Sequence, residues 1–247
     1  MKSTERHKLK ENEFASSVSR ARSVIDTRRG DISRIVIVGM VIAAVIGGYS
    51  VWRQSRHAKA SAAMAAGLAI YEAPVMAAPA APAPGSPMPV QQAGTYATEQ
   101  AKFEAALPRL LEAANQYPNT DAGIVARYYA ASALASLGRY PEAEQRFQEV
   151  VDKAGSGIYA RTGKLGVADA QVAQGKFDNA ITIYREMSAD SSSAVPLDGV
   201  LMELGRTYLR AGRKDEAART FSRIVDEFPQ SAYVADAKRE LAEARKG

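Results

Sequence analysis

Cysteine is absent from the 247 residues, and histidine occurs only twice, as His7 and His57. Without cysteine the chain has no disulfide, no thiolate metal site, no cysteine nucleophile and no lipoprotein acylation site. Two histidines near the N-terminus also exclude a histidine-based catalytic triad or a multi-histidine metal site in the bulk of the chain. Hydrophobic residues make up 47% of the sequence, which is enough to bury a core in one or two domains.

The net charge of +5 is concentrated at the N-terminal end. Residues 1–34 contain nine Lys or Arg against five Asp or Glu, and Arg53, Arg56 and Lys59 follow, whereas residues 60–247 contain 20 basic and 22 acidic side chains. A nucleic-acid-binding protein would be expected to spread positive charge over its folded domain. The distribution therefore argues against a nucleic-acid partner.

Residues 35–52 form an uncharged apolar run with Tyr49 and Trp52 at one end. Eighteen helical residues span about 27 Å, close to the thickness of a bilayer's hydrocarbon core. Aromatic rings of this kind favour the headgroup layer. We predict a single transmembrane helix, because a core helix would have to hide every face. A cleavable signal peptide would have a shorter leader and a small-x-small site directly after the run.

Flanking charge predicts how this helix is oriented. Five arginines precede it and three basic residues follow it. The bias predicts a single-pass protein of the inner (cytoplasmic) membrane, with a cytoplasmic basic leader at 1–34 and residues 53–247 in the periplasm or outside the cytoplasm. The leader is interpreted either as a short amphipathic helix on anionic lipid or as a solvated, partly disordered tail.

Two segments separate the membrane helix from the rest of the chain. Residues 53–72 are rich in alanine and predict a juxtamembrane helix. Residues 73–95 follow, and six of the eleven prolines lie between Ala73 and Val90. Because proline lacks an amide donor and fixes φ, we interpret this segment as an extended linker. A Pro-rich recognition ligand is the alternative, but the segment has no basic residue to orient its docking.

The remaining residues, 96–247, repeat with a period of 37. Gly138, Gly175 and Gly212 mark the period. After each glycine come an alanine at +5, an aromatic residue at +9 and an apolar residue at +12: Ala143, Phe147 and Val150; Ala180, Tyr184 and Met187; Ala217, Phe221 and Ile224. The glycine suits a left-handed helix end, the alanine a close helix crossing, and the aromatic residue the gap beside it. We predict an all-α fold in which the transmembrane helix is followed by a helix-pair solenoid.

This segment resembles tetratricopeptide repeats. The clearest unit, residues 198–231, matches the signature at Leu201, Leu204, Gly205, Tyr208, Ala217, Phe221, Ile224 and Pro229. The first unit has no leading helix directly upstream, and we expect residues 58–72 to take that place across the Pro-rich insertion. Pro108 predicts a kink or a late start in the second helix of that unit. The residues after Pro229 predict a helix that caps the stack.

The resemblance implies that ligands lie in a concave groove lined by the first helix of each pair. Carried over by position, the candidate partner-binding residues are Tyr128, Ser132, Ser136, Leu165, Asp169, Met202, Arg206 and Arg210. The set lacks the Lys/Asn pattern with which some family members clamp a terminal carboxylate. A groove with an apolar centre suits an amphipathic segment or an unfolded chain. The alternative is that its apolar members only pack against neighbouring helices.

We find no motif for catalysis, for a cofactor or for a metal. The glycine-rich stretch near Gly157 differs from a phosphate-binding loop, because Lys164 is followed by Leu165 rather than by Ser or Thr. The carboxylates Glu142 and Glu144 fall in a first helical turn, where negative charge complements the helix dipole. We therefore expect a protein that is not an enzyme.

The complete layout resembles the ancillary subunit of the SecYEG translocon. This resemblance implies a non-catalytic adaptor with translocon subunits, chaperones or exported polypeptides as partners. The C-terminal segment also looks like repeats of cell-division and outer-membrane assembly proteins, and a cytochrome-maturation chaperone has a similar plan. A self-associating homo-oligomer that organises the membrane is the alternative from another class.

Overall fold

The computed structural model describes residues 29–77, 92–190 and 195–246. Within these ranges it forms helices α1 to α9, which span Arg29–Tyr71, Glu99–Gln116, Asp121–Ser136, Tyr140–Lys153, Ile158–Ala173, Phe177–Ala189, Leu197–Arg210, Lys214–Glu227 and Val234–Ala244. No strand forms in these ranges, where Val75 and Tyr96 make an isolated parallel bridge. The predicted all-α fold is confirmed. The leader up to residue 28 and most of the Pro-rich stretch, residues 78–91, lie outside the described residues.

The chain divides into two compact units, Met1–Ser55 and Arg56–Gly247. The described part of the first unit belongs to α1, and its apolar side chains from Val36 to Trp52 are more than half exposed. The span Val36–Tyr71 is long and apolar enough to cross a membrane, with a mean hydropathy of 1.7 in its most apolar window. The predicted segments 35–52 and 53–72 thus fall in one helix, which ends at Tyr71.

The second unit consists of successive helix pairs followed by α9. The alanines at the repeated crossing position, Ala143, Ala180 and Ala217, and Ala106, one period of 37 residues before Ala143, are each 0% exposed. Gly138, Gly175 and Gly212 have φ of 73°, 77° and 75°. These angles are the left-handed conformation that glycine adopts at low cost, so each glycine ends the first helix of its pair. The predicted helix-pair repeat is therefore confirmed.

Residues 56–71 of α1 serve as the first helix of the first pair. They pack on α2 through Met64, Leu68 and Tyr71. A Cβ on Gly67 would lie 2.7 Å from Leu110 Cδ2, just as a Cβ on Gly205 would lie 2.5 Å from Phe221 Cε1. Both glycines let the first helix approach the large residue of the second, so the expected role of this segment is confirmed.

Helix α2 begins at Glu99, although Pro108 lies inside it. The hydroxyl of Thr98 caps the helix by accepting the N–H of Ala101 at 3.1 Å. Pro108 is on the exposed side of α2, where water can solvate the carbonyl whose hydrogen bond it prevents. The expected late start is therefore wrong, because the Thr98 cap sets the first residue.

Helix α9 covers the end of the stack. Ala237 and Ala244 are buried, and Leu241 packs against the core cluster formed by α6, α7 and α8. Its charged and exposed residues are Lys238, Arg239 and Glu243. A terminal helix with one polar face keeps the last apolar surface of a solenoid out of water.

Candidate protein-interaction groove

A cavity of about 330 Å³ opens between α3 and α5, the first helices of two successive pairs. We call it the groove cavity. It is lined by Tyr128, Ser132, Ala135, Tyr140, Phe147, Thr162, Leu165, Gly166, Asp169 and Ala170. Aromatic and aliphatic groups form most of this surface, and Asp169 is its one charged residue. Such a surface can hold an apolar side chain beside a carboxylate.

Phe147 of α4 reaches the groove cavity because Gly166 of α5 has no side chain. A Cβ on Gly166 would lie 2.6 Å from the Phe147 ring. A larger residue would therefore displace the ring. The missing side chain makes room for the Phe147 ring, which is buried and forms part of the cavity lining.

Tyr128 is held in place by other aromatic rings. Its ring centroid lies 5.6 Å from that of Phe147, 5.6 Å from that of Tyr129 and 5.5 Å from that of Tyr159, each in an edge-to-face arrangement. Aromatic pairs favour this geometry. Burial raises the pKa of the Tyr128 hydroxyl, so the side chain is neutral at physiological pH and acts as an apolar wall with a polar tip.

Asp169 is an exposed residue of the groove, and its carboxylate is hydrogen-bonded to Tyr184 of α6. The fully buried Tyr184 hydroxyl donates a hydrogen bond to Asp169 Oδ1. Loss of water in this concave place raises the pKa of the Asp169 carboxyl; Glu203 acts in the same direction, while the Tyr184 hydrogen bond and Arg210 oppose it. Within the part of the chain that the structure describes, no donor contacts Asp169 Oδ2.

Arg206 of α7 is occupied by carboxylates of this chain. Its guanidinium lies 3.2 Å from Glu203, 3.5 Å from Glu240 and 4.0 Å from Asp236. These contacts tie α7 to α9, so much of the Arg206 charge is already balanced within the repeat domain. Arg210, one turn further along α7, is exposed.

The structure brings four of the eight predicted residues around one cavity: Tyr128, Ser132, Leu165 and Asp169. Ser136 is exposed at the end of α3, outside the cavity lining. Met202 is 0% exposed and belongs to the core cluster that also contains Ala237 of α9. Its proposed contact with a partner is corrected, because its side chain is not accessible.

Sequence reasoning missed the contributions of Tyr140, Phe147 and Gly166 to the cavity. The repeat spacing predicts only that Phe147 fills the gap between helix pairs. The signal that could have placed it at the groove is Gly166, since a glycine on a groove-lining helix leaves room for a neighbouring ring.

Another face of the repeats carries a polar cluster centred on Glu144 of α4. Its carboxylate accepts hydrogen bonds from Gln171 at 2.9 Å, from Gln174 at 2.7 Å and from Lys176 at 2.9 Å. Burial acts to raise the pKa of Glu144, and these hydrogen bonds outweigh it, so the pKa is lowered. This cluster joins α4 to the end of α5. Among the described residues, no group of three or more His, Asp or Glu is placed to hold a metal ion.

Comparisons with known proteins agree with this architecture. Two family models, each described as tetratricopeptide repeat, match residues 128–195 and 171–241. No curated protein matches the chain.

Two solved structures with TM-scores above 0.5 show the same fold at low sequence identity. Nearly identical TPR-like repeats from Podosopora anserina, described as a kinesin light chain, align with a TM-score of 0.52 and 16% identity over 58% of this chain and 77% of that one. A second structure of that protein gives 0.51 and 17% over the same shares. A tetratricopeptide repeat protein from Parabacteroides merdae ATCC 43184 gives 0.48 and 14%, over 60% of this chain and 55% of that one. Residues 128–241 of this chain are therefore tetratricopeptide repeats.

Proposed function

We propose that this chain is a membrane-anchored, non-catalytic protein-interaction adaptor of the cell envelope, and that partner polypeptides dock in the groove cavity. Tetratricopeptide domains generally mediate protein–protein interaction. The observation that carries the proposal is the cavity itself, an apolar concavity between two first helices with a carboxylate at its edge. Concave apolar surfaces with few polar groups are the usual binding places on proteins.

The anchor is assigned to residues 35–52. Exposed valine, isoleucine and methionine side chains surround this part of α1, as expected of a helix whose solvent is lipid. The basic leader favours a cytoplasmic N-terminus, which puts the repeats outside the cytoplasm, next to the inner membrane. In this arrangement the adaptor would hold its partners close to the bilayer.

The resemblance in layout to the ancillary translocon subunit suggests the class of partner. Translocon subunits, periplasmic chaperones or polypeptides emerging from the translocon are the proposed ligands. The near balance of charge in residues 60–247 is consistent with protein rather than nucleic-acid partners.

A pulldown in mild detergent followed by mass spectrometry tests the docking proposal. Ser132→Arg extends a long side chain into the groove cavity, and Leu165→Asp adds a charge to its wall. Gln145→Asp, on an exposed position of α4 outside the cavity lining, is the matched control. Both groove variants should lose partners that the control retains, and circular dichroism should show folded repeats for Ser132→Arg.

Partners that survive both groove changes would contradict the docking site. Recovery of haem-attachment proteins instead of translocon subunits would indicate that the adaptor acts in cytochrome maturation rather than in translocation. Recovery of only the chain itself would favour a self-associating organiser of the membrane.

Extraction of membranes with alkaline carbonate tests the anchor. The full chain should stay in the membrane pellet, whereas the double change Val41→Asp and Val45→Asp should move it to the supernatant, because each aspartate at the centre of a membrane helix costs about 2.5–3.5 kcal/mol. Release of the unchanged chain by carbonate would contradict the anchor.

A further inference from the structure

We propose that the groove cavity selects a peptide segment that inserts one large apolar side chain between Tyr128, Phe147 and Leu165 and pairs a lysine or arginine with Asp169. This inference rests on the proposed function, since it requires that the cavity bind polypeptides. It adds the chemical class of the segment: apolar and basic, rather than apolar and acidic or a free C-terminal carboxylate.

The size of the cavity fits one anchoring side chain. Its volume of about 330 Å³ lies at the lower end of the range of about 300–1,000 Å³ for ligand pockets. The aromatic surface of Tyr128 and Phe147 is fixed by edge-to-face contacts, so little ordering entropy is lost when a side chain packs on it. An aromatic or large aliphatic residue is the group that this surface accommodates.

The free oxygen of Asp169 specifies what lies beside that anchor. Tyr184 donates a hydrogen bond to Oδ1, and Asp169 lines the cavity, so the second carboxylate oxygen is available to a ligand. Charge-assisted hydrogen bonds from ammonium or guanidinium groups to carboxylates are the strong ones. The Asp169 carboxylate can therefore pair with a lysine or arginine side chain of the partner.

The charges along the same face leave Asp169 as the carboxylate without an ion pair. The charged groups of α5, α7 and α9 that contact or act on one another here are Asp169, Glu203, Asp236, Glu240, Arg206, Arg210 and Arg239. Arg206 and Arg239 pair with Glu203, Asp236 and Glu240, so these charges largely balance one another. Within this set Asp169 forms no ion pair, so a cationic side chain of a partner can pair with it at the cavity.

The hydrogen bond between Tyr184 and Asp169 does not require a charged residue at position 169. An asparagine oxygen could accept the same hydrogen bond from Tyr184, and the loss of water that raises the pKa of Asp169 makes the ionised form costly here. A carboxylate in the lining of an otherwise uncharged cavity points to a ligand of opposite charge.

Selection from a phage-displayed library of random dodecapeptides tests the inference, with the full chain held in lipid nanodiscs. The unchanged chain should enrich peptides in which a lysine or arginine lies within four residues of an aromatic or large aliphatic residue. Ser132→Arg, which fills the cavity, should not enrich them. Asp169→Asn, which keeps the acceptor for Tyr184, should keep the apolar preference and lose the basic one.

A double-mutant cycle on one enriched peptide gives the size of the contact. Asp169→Asn should weaken binding about tenfold, since a charged hydrogen bond contributes about 1.5 kcal/mol or more. Replacing the basic residue of the peptide with glutamine should weaken it equally, and both changes together should weaken it no further.

The outcomes separate the inference from the function on which it rests. Enrichment that depends on the groove but lacks a basic residue, or favours acidic or C-terminal carboxylate groups, overturns the inference and leaves docking in the cavity intact. Equal enrichment by the unchanged chain and by Ser132→Arg, or none by either, overturns both.

Discussion

The ring of Phe221 occupies the space where Gly205 would carry a side chain. A Cβ on Gly205 would lie 2.5 Å from Phe221 Cε1 and 2.7 Å from Cζ, closer than non-bonded atoms approach. This contact sets the separation of α7 and α8 and lets the fully buried ring fill the gap between successive pairs.

Gly205→Ala should lower the free energy of unfolding by about 1–3 kcal/mol, the usual cost of overpacking a core. Gly199→Ala, on the same helix, is the control. Its Cβ would lie 3.6 Å from Tyr233, an ordinary contact, so it should stabilise by about 0.5–1 kcal/mol through helix propensity. Urea denaturation followed by circular dichroism compares them, and equal effects at the two positions would contradict the assigned packing.

Leu110→Ala should destabilise the first helix pair by about 2–5 kcal/mol, because Leu110 is fully buried against residues 56–71 of α1. Leu111→Ala, on the same helix but only partly buried, should cost about 1 kcal/mol. Thermal melts of the full chain in detergent measure the difference. Equal melting temperatures for the two variants would mean that residues 56–71 do not complete the first pair.

Glu144→Gln should lower the Tm at pH 7 and lose that effect in acid. The pKa of Glu144 is held below its ordinary value of 4.5 in the folded chain, so its contribution to stability is present above that value and is lost as the pH falls through the lowered pKa. The control is Glu142→Gln, which removes an exposed pair with Arg139 and should change Tm little. A Glu144→Gln effect of the same size at pH 3 and pH 7 would contradict the assignment.

Asp169→Asn should leave Tm at pH 7 unchanged or higher. Loss of water raises the pKa of Asp169 above its ordinary value of 3.8, and Glu203 acts in the same direction, against the opposing effects of Tyr184 and Arg210. Its favourable contribution is therefore fully present below 3.8 and is lost as the pH rises through the raised value. The difference between the two proteins should vanish at low pH. A clear loss of Tm in the variant at pH 7 would make Asp169 a structural residue rather than one kept for binding.

The sequence predicted most of the repeat architecture because its spacing has few physical solutions. A glycine, an alanine and an aromatic residue recurring at a period of 37 fit a helix end, a close crossing and the gap beside it, and the structure places all three as expected. The first residue of α2 could not be derived in the same way. The start of α2 depends on whether the Thr98 cap or Pro108, nine residues after Glu99, has the larger effect on the helix. Because Pro108 is exposed, the helix tolerates it and begins at the cap.

The candidate site was predicted in part. Tyr128, Leu165 and Met202 are equivalent at the 37-residue period, and the sequence assigned all three to the groove. Tyr128 and Leu165 line the cavity, whereas Met202 is buried in the cluster that α9 helps to form. Periodicity identifies equivalent positions along the chain, but only the folded arrangement shows which of them a capping helix covers.

Photocrosslinking from a single position in native membranes tests most directly whether polypeptides dock in the groove cavity. A photoreactive phenylalanine analogue replaces Tyr140, an aromatic residue of the cavity lining, in one protein and Gln145, outside the lining, in another. We expect covalent adducts with other polypeptides from position 140 and none from position 145. Adducts from position 145 alone, or equal adducts from both positions, would contradict it.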